Sequence, residues 1–166
     1  MTRLFRNQFF FIAFVLTPIL FTSCNAAFNR RLAWHETELA KAANSKTMKP
    51  QEKLDVLMTS FVKMADETLK PINPKKGVKF VKKYSETNEA NINKILKEVE
   101  SWQKGMNDMQ RIGAGVSLAR KPYAKQVIDL YPKFRRNYKQ YKFAMKMTDS
   151  LTGGLGKLGG NILKGL

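Results

Sequence analysis

Residues 92–109, INKILKEVESWQKGMNDM, decide the fold class. Ile92, Val99 and Met106 stand seven apart, and Ile95, Trp102 and Met109 form a second series three residues on. Spacings of three and four place apolar side chains on one face of a helix. Leu96 widens that face. Extended in both directions, the pattern predicts a helix over about 75–112. Upstream, the same frame takes in Val78 and Val81, but then Ser85 and Asn88 within YSETNEANIN. A buried polar pair can fix register at some cost in stability; a break or bend of the helix is the plainer expectation, and we adopt it.

The flanking segments repeat the pattern. Leu54, Leu57, Met58, Phe61, Ala65 and Leu69 form one stripe over 50–70, with Pro50 suited to a first turn and Pro71 and Pro74 closing the helix. RLAWHETELAKAANS, residues 31–45, predicts a shorter helix. RIGAGVSLARKP, residues 111–122, carries Gly113 and Gly115 and reads as a loop or frayed end. A last helix is expected over 122–149, with Val127, Phe134 and Tyr141 in one series, Tyr131, Tyr138 and Met145 in the other, and a kink at Pro132. No stretch alternates like a strand. The expected fold is all-α: an elongated antiparallel helical bundle of three to four helices over 31–149, the two shorter helices flanking the two longer. A glycine-rich amphipathic tail follows over 150–166. Leu151, Leu155, Leu158, Ile162 and Leu166 keep helical spacing in it, diluted by six glycines.

The 166-residue chain carries 30 Lys and Arg against 13 Asp and Glu, a formal charge of +17. Such an excess is compatible with an anionic partner or with solubility alone; the former is carried forward as an expectation. One cysteine excludes an internal disulfide, and one Cys with one His excludes a four-ligand thiolate metal site. His35 reads as a surface or partly packed residue. No paired carboxylates, phosphate loop or Ser-His-Asp set is recognisable, so the sequence predicts neither an enzyme nor a cofactor.

The N-terminus supplies an address. Arg3 and Arg6 precede an apolar run of about 14 residues, shorter than the roughly 20 a spanning helix needs, and small polar residues follow. This is the form of a secretory signal, residues 1–23. The ending LFTSC resembles the lipobox of bacterial lipoproteins, with Ser23 as the small residue before Cys24 and Phe21 departing from the usual aliphatic residue. The resemblance implies cleavage before Cys24, lipidation of Cys24, a tether over 24–30, and attachment to a membrane of the cell envelope, at the outer membrane or the periplasmic face. Removal of the leader leaves a charge of +15. For an exported chain the candidate anionic partners are lipid, an envelope polymer or a partner protein, rather than nucleic acid.

From Arg120 to Met147 nine bases face a single acid, Asp129. Arg135, Arg136, Lys139, Lys142 and Lys146 are the expected anionic-surface residues, and Leu155, Leu158 and Ile162 the expected membrane or partner contacts. The functional expectation is a lipid-anchored binding or structural module; its rival is a lipid-binding or membrane-active module using the apolar seam and tail.

Overall fold

A computed structural model describes residues 26–70 and 74–141. The chain divides into two units, Met1–Trp34 and His35–Leu166. The described part of the first, residues 26–34, is helical. The described residues hold five helices and no strand: α1 (26–44), α2 (Pro50–Leu69), α3 (Pro74–Lys104), α4 (Asp108–Ala119) and α5 (Pro122–Tyr138). The chain is all-α, as its periodicity implies. Helix α1 begins earlier than expected, inside the segment read as a tether; Ala26 and Ala27 are strong helix formers.

Helix α2 is the hub of the second unit, which corrects the expectation that it flanks the longer helices. Leu54, Leu57, Met58, Phe61 and Ala65 are buried as the stripe predicts. Lys53, Ser60, Val62, Met64 and Thr68 are buried as well, because α3 and α5 pack on different sides of α2. Cross-links fix the directions. Lys53 pairs with Glu98, Ser60 meets Tyr84, and Thr68 lies near Gly77, so α2 and α3 are antiparallel. Asp55 meets Tyr123, Phe61 meets Phe134, and Thr68 meets Tyr138, so α2 and α5 run parallel. From His35 to Asn44, α1 follows α3 from the level of Tyr84 to that of Lys94.

The parallel pair requires α4, where the sequence reading placed a loop. Helix α3 ends at Lys104, short of the expected 112. Asn107 then caps a new helix: its side chain accepts from the Gln110 backbone N–H at 2.9 Å, and its own N–H donates to Gln110 Oε1 at 3.0 Å. This reciprocal box satisfies two otherwise orphaned donors and tolerates Gly113 and Gly115 downstream. Helix α4 buries Ala114, Gly115 and Leu118, and Gln51 Nε2 donates to Ser117 Oγ at 3.0 Å. Both ends of α4 thus stay at the end of the unit where α2 starts and α3 finishes, and α5 departs from there.

The phase reset at Lys104 changes the seam. Ile92, Ile95 and Val99 are buried as predicted. Trp102 and Met106 are only half-buried, Gln103 takes the core position, and Met109 is 84% exposed. The polar stretch does not interrupt α3. Tyr84 and Asn88 are fully buried on an unbroken helix, with Asn88 Nδ2 donating to the Tyr84 carbonyl at 2.9 Å. In α5, Phe134 and Tyr138 are buried, while Val127 and Tyr131 are half-buried. The helix ends at Tyr138, short of the expected 149, so Tyr141 lies beyond it, half-buried, and Met145 lies outside the described residues. Helix α5 continues through Pro132, which is exposed.

Candidate anionic-surface interface

The sequence predicts a basic face at the end of α5. The structure places Arg135, Arg136 and Lys139 on the exposed surface there, opposite buried Phe134 and Tyr138. Lys142 and Lys146 lie outside the described residues, as do Cys24, Leu155, Leu158 and Ile162.

What lies beside this turn was not foreseen. The Tyr138 hydroxyl donates to the Thr68 carbonyl at 2.7 Å, at the last turn of α2. It also fills the space over Gly77 in the first turn of α3, so closely that a Cβ at 77 would fall 2.2 Å from the hydroxyl oxygen. Only glycine permits this approach. Tyr138 therefore pins the end of α5 against the beginning of α3. Phe134 supports the joint, meeting Phe61 edge to face at a centroid distance of 5.9 Å and Tyr138 at 4.8 Å. Burial raises the Tyr138 pKa above its ordinary value, against the lowering effect of its bond to Thr68, so the donor proton is retained.

The joint links two helix turns whose outward sides are basic. Residues 75–83, KKGVKFVKK, hold Lys75, Lys76, Lys79, Lys82 and Lys83; residues 133–139, KFRRNYK, hold Lys133, Arg135, Arg136 and Lys139. Neither segment contains an acid. All nine side chains are exposed, while Gly77, Phe80 and Val81 turn inward on α3. Lys82 has an exposed partner, Glu86, at 3.8 Å, an i,i+4 pair of small energetic weight. The signal for the α3 segment was present in the sequence: lysines at 75, 76, 79, 82 and 83 recur at helical spacing.

The other polar groups serve the fold. Asp55 accepts from Lys121 Nζ and from the Tyr123 hydroxyl, each at 2.6 Å, fastening the start of α5 to α2. Burial raises the Tyr123 pKa, and the Asp55 hydrogen bond and charge raise it further. His35, expected near the surface, is buried: its Nδ1 lies 2.9 Å from Ser60 Oγ, which lies 2.9 Å from the Tyr84 hydroxyl. Burial, then the nearby charge of Lys63, lowers the His35 pKa to about 4, so the ring is neutral at pH 7. Burial pushes Tyr84 up to about 12, with Ser60 opposing. Ser60 and His35 are sealed from solvent, and this arrangement ties α1, α2 and α3 together rather than presenting a nucleophile.

An open groove of about 530 Å³ runs between α2 and α5, walled by Val62, Lys63, Asp66, Tyr123, Asp129 and Leu130 among others. Its walls mix apolar side chains with the charged Lys63, Asp66 and Asp129. Among the described residues, no group of three or more His, Cys, Asp or Glu is placed to hold a metal, and no helix is long and apolar enough to cross a membrane. No protein family, curated protein or solved structure matches this chain, so its reading rests on the residues themselves.

Proposed function

We propose that this protein is an exported, lipid-anchored α-helical module that docks on an anionic surface of the cell envelope. The observation that carries the proposal is the contact at the Tyr138–Gly77 joint between residues 75–83 and 133–139, two segments that carry nine exposed bases and no acid of their own. A basic residue near an anionic bilayer contributes about 1 kcal/mol, so charges gathered on one surface bind where scattered ones do not. Anchoring at Cys24 holds the bundle within reach of that surface. The acyl chains supply membrane affinity of about 0.8 kcal/mol per buried CH₂, and the basic surface supplies orientation and selectivity.

The test is binding of the leader-free chain to vesicles of phosphatidylglycerol mixed with phosphatidylcholine, against phosphatidylcholine alone. Binding should be confined to the anionic vesicles and should fade with salt, because the screening length shrinks from about 10 Å at 0.1 M to about 3 Å at 1 M. Equal binding to both vesicle types, or to neither, would refute the proposed docking.

A further inference from the structure

Helix α4 carries apolar side chains on two opposite faces. Ala114, Gly115 and Leu118 are buried, and Gln51 Nε2 holds that side to α2 through Ser117. The opposite side presents Met109, Ile112 and Val116, 84%, 63% and 39% exposed, at the three- and four-residue spacing of one stripe. Gly113 lies beside them with open space over it: a Cβ there would meet nothing within 4 Å. Ile128 on α5 is exposed as well, at 38%. Single exposed apolar residues need no explanation, but an ordered stripe on a helix whose other face is already packed does.

The surrounding charge indicates what covers the stripe. Lys104, Arg111 and Lys121 are ion-paired, to Glu100, Asp108 and Asp55, while Arg120 and Lys125 add exposed positive charge beside them. An apolar stripe on a helix flanked by bases is the pattern of an element lying in the interface of an anionic bilayer, its apolar side chains among the upper acyl carbons and its bases among the head groups. We propose that α4 is such an element, and that Met109, Ile112 and Val116 insert into anionic lipid. The inference rests on the proposed docking in placing the chain at a bilayer, and it narrows the anionic surface to lipid rather than polymer. The stripe supplies apolar contact, while residues 75–83 and 133–139 supply charge. Helix α5, about 25 Å long by its rise of 1.5 Å per residue, joins the two, with Lys125 exposed near one end, Lys133, Arg135 and Arg136 near the other, and Asp129 exposed between them.

The test uses the full chain with Trp34→Phe and Trp102→Phe, carrying Ile112→Trp in one variant and Met109→Trp in another. Both positions are exposed, so neither substitution disturbs the core, and the helical circular dichroism signal checks that the fold is kept. Each variant is bound to vesicles of phosphatidylglycerol and phosphatidylcholine whose acyl chains carry bromine. The expected result is water-like emission before lipid is added. With vesicles, a blue shift should appear, and bromine should quench more strongly than aqueous acrylamide. Emission that stays water-like on vesicle-bound protein overturns the inference. So does blue-shifted emission before lipid is added, which would show that a second copy or the chain's own tail covers the stripe. The proposed docking fails separately, if binding is indifferent to vesicle charge, whatever environment the introduced tryptophan reports.

Discussion

Replacing Gly77 with alanine reads the joint between α3 and α5 directly. In an ordinary helix interior the change is favourable by about 0.5–1 kcal/mol, because alanine has the higher helix propensity. Here the added Cβ would fall 2.2 Å from the Tyr138 hydroxyl, 2.8 Å from the Thr68 carbonyl oxygen and 3.3 Å from Tyr138 Cζ. The Thr68 oxygen is backbone and cannot swing away, so Tyr138 or the start of α3 must shift. Overpacking of this kind costs about 1–3 kcal/mol. Losing the bond from Tyr138 to Thr68 adds about 1 kcal/mol. Against the propensity gain, Gly77→Ala should destabilise the protein by about 1–3 kcal/mol, read as a lowered midpoint in urea unfolding at unchanged slope. Tyr138→Phe removes the closest of the three contacts. In that background Gly77→Ala should cost less, giving a coupling energy of about 1 kcal/mol in a double-mutant cycle. A Gly77→Ala variant as stable as the parent or more so would refute the joint, and with it the adjacency of the two basic segments.

Three further outcomes are expected. His35 has a folded pKa of about 4 against a reference of 6.5, so only the unfolded chain takes up the proton between those values. Its contribution is therefore complete above pH 6.5 and declines by about 1.4 kcal/mol per pH unit toward pH 4; urea midpoints across that window should fall more steeply for the parent than for His35→Gln. Asp55→Asn weakens both contacts that hold the start of α5 and should cost about 1–3 kcal/mol, with the Tyr123 hydroxyl titrating at lower pH in an ultraviolet absorbance titration. Cys24→Ser should leave an unprocessed precursor, and the intact mass of the parent extracted from membranes should show cleavage before Cys24 with added acyl groups.

Much of the fold was legible because apolar spacing is a local signal. The stripe of α2 from Leu54 to Ala65 and the residues Ile92, Ile95 and Val99 of α3 can be read from sequence and are buried, while Leu69 at the end of the stripe is half-buried. The break after Lys104 was legible too, in Asn107 and Gln110 as a capping pair, but the heptad series running on to Met109 outweighs it when periodicity alone is followed. Reading Gly113 and Gly115 as loop residues hid α4, which buries Ala114, Gly115 and Leu118 and leaves Gly113 exposed. Asn88 counted against a helix on polarity, yet its amide bonds back to the Tyr84 carbonyl within the same helix. Half of the candidate interface was legible as charge in Arg135, Arg136 and Lys139. The lysines of residues 75–83 were legible as charge too, but their place beside the end of α5 was not, because proximity between residues 77 and 138 is a long-range fact, set by a tyrosine over a glycine, and no spacing rule encodes it.

The central claim is that two segments distant in sequence act as one basic surface. It is tested by measuring partition of the leader-free chain onto phosphatidylglycerol-containing vesicles with each half neutralised in turn. One variant carries Lys75→Gln, Lys76→Gln and Lys79→Gln; the other carries Arg135→Gln, Arg136→Gln and Lys139→Gln. With about 1 kcal/mol for each base near the surface, each triple substitution should weaken binding by roughly a hundredfold at low salt and have no effect on neutral vesicles. Full binding by either triple variant would contradict the claim, because one half of the surface would then be an ordinary solvated helix face.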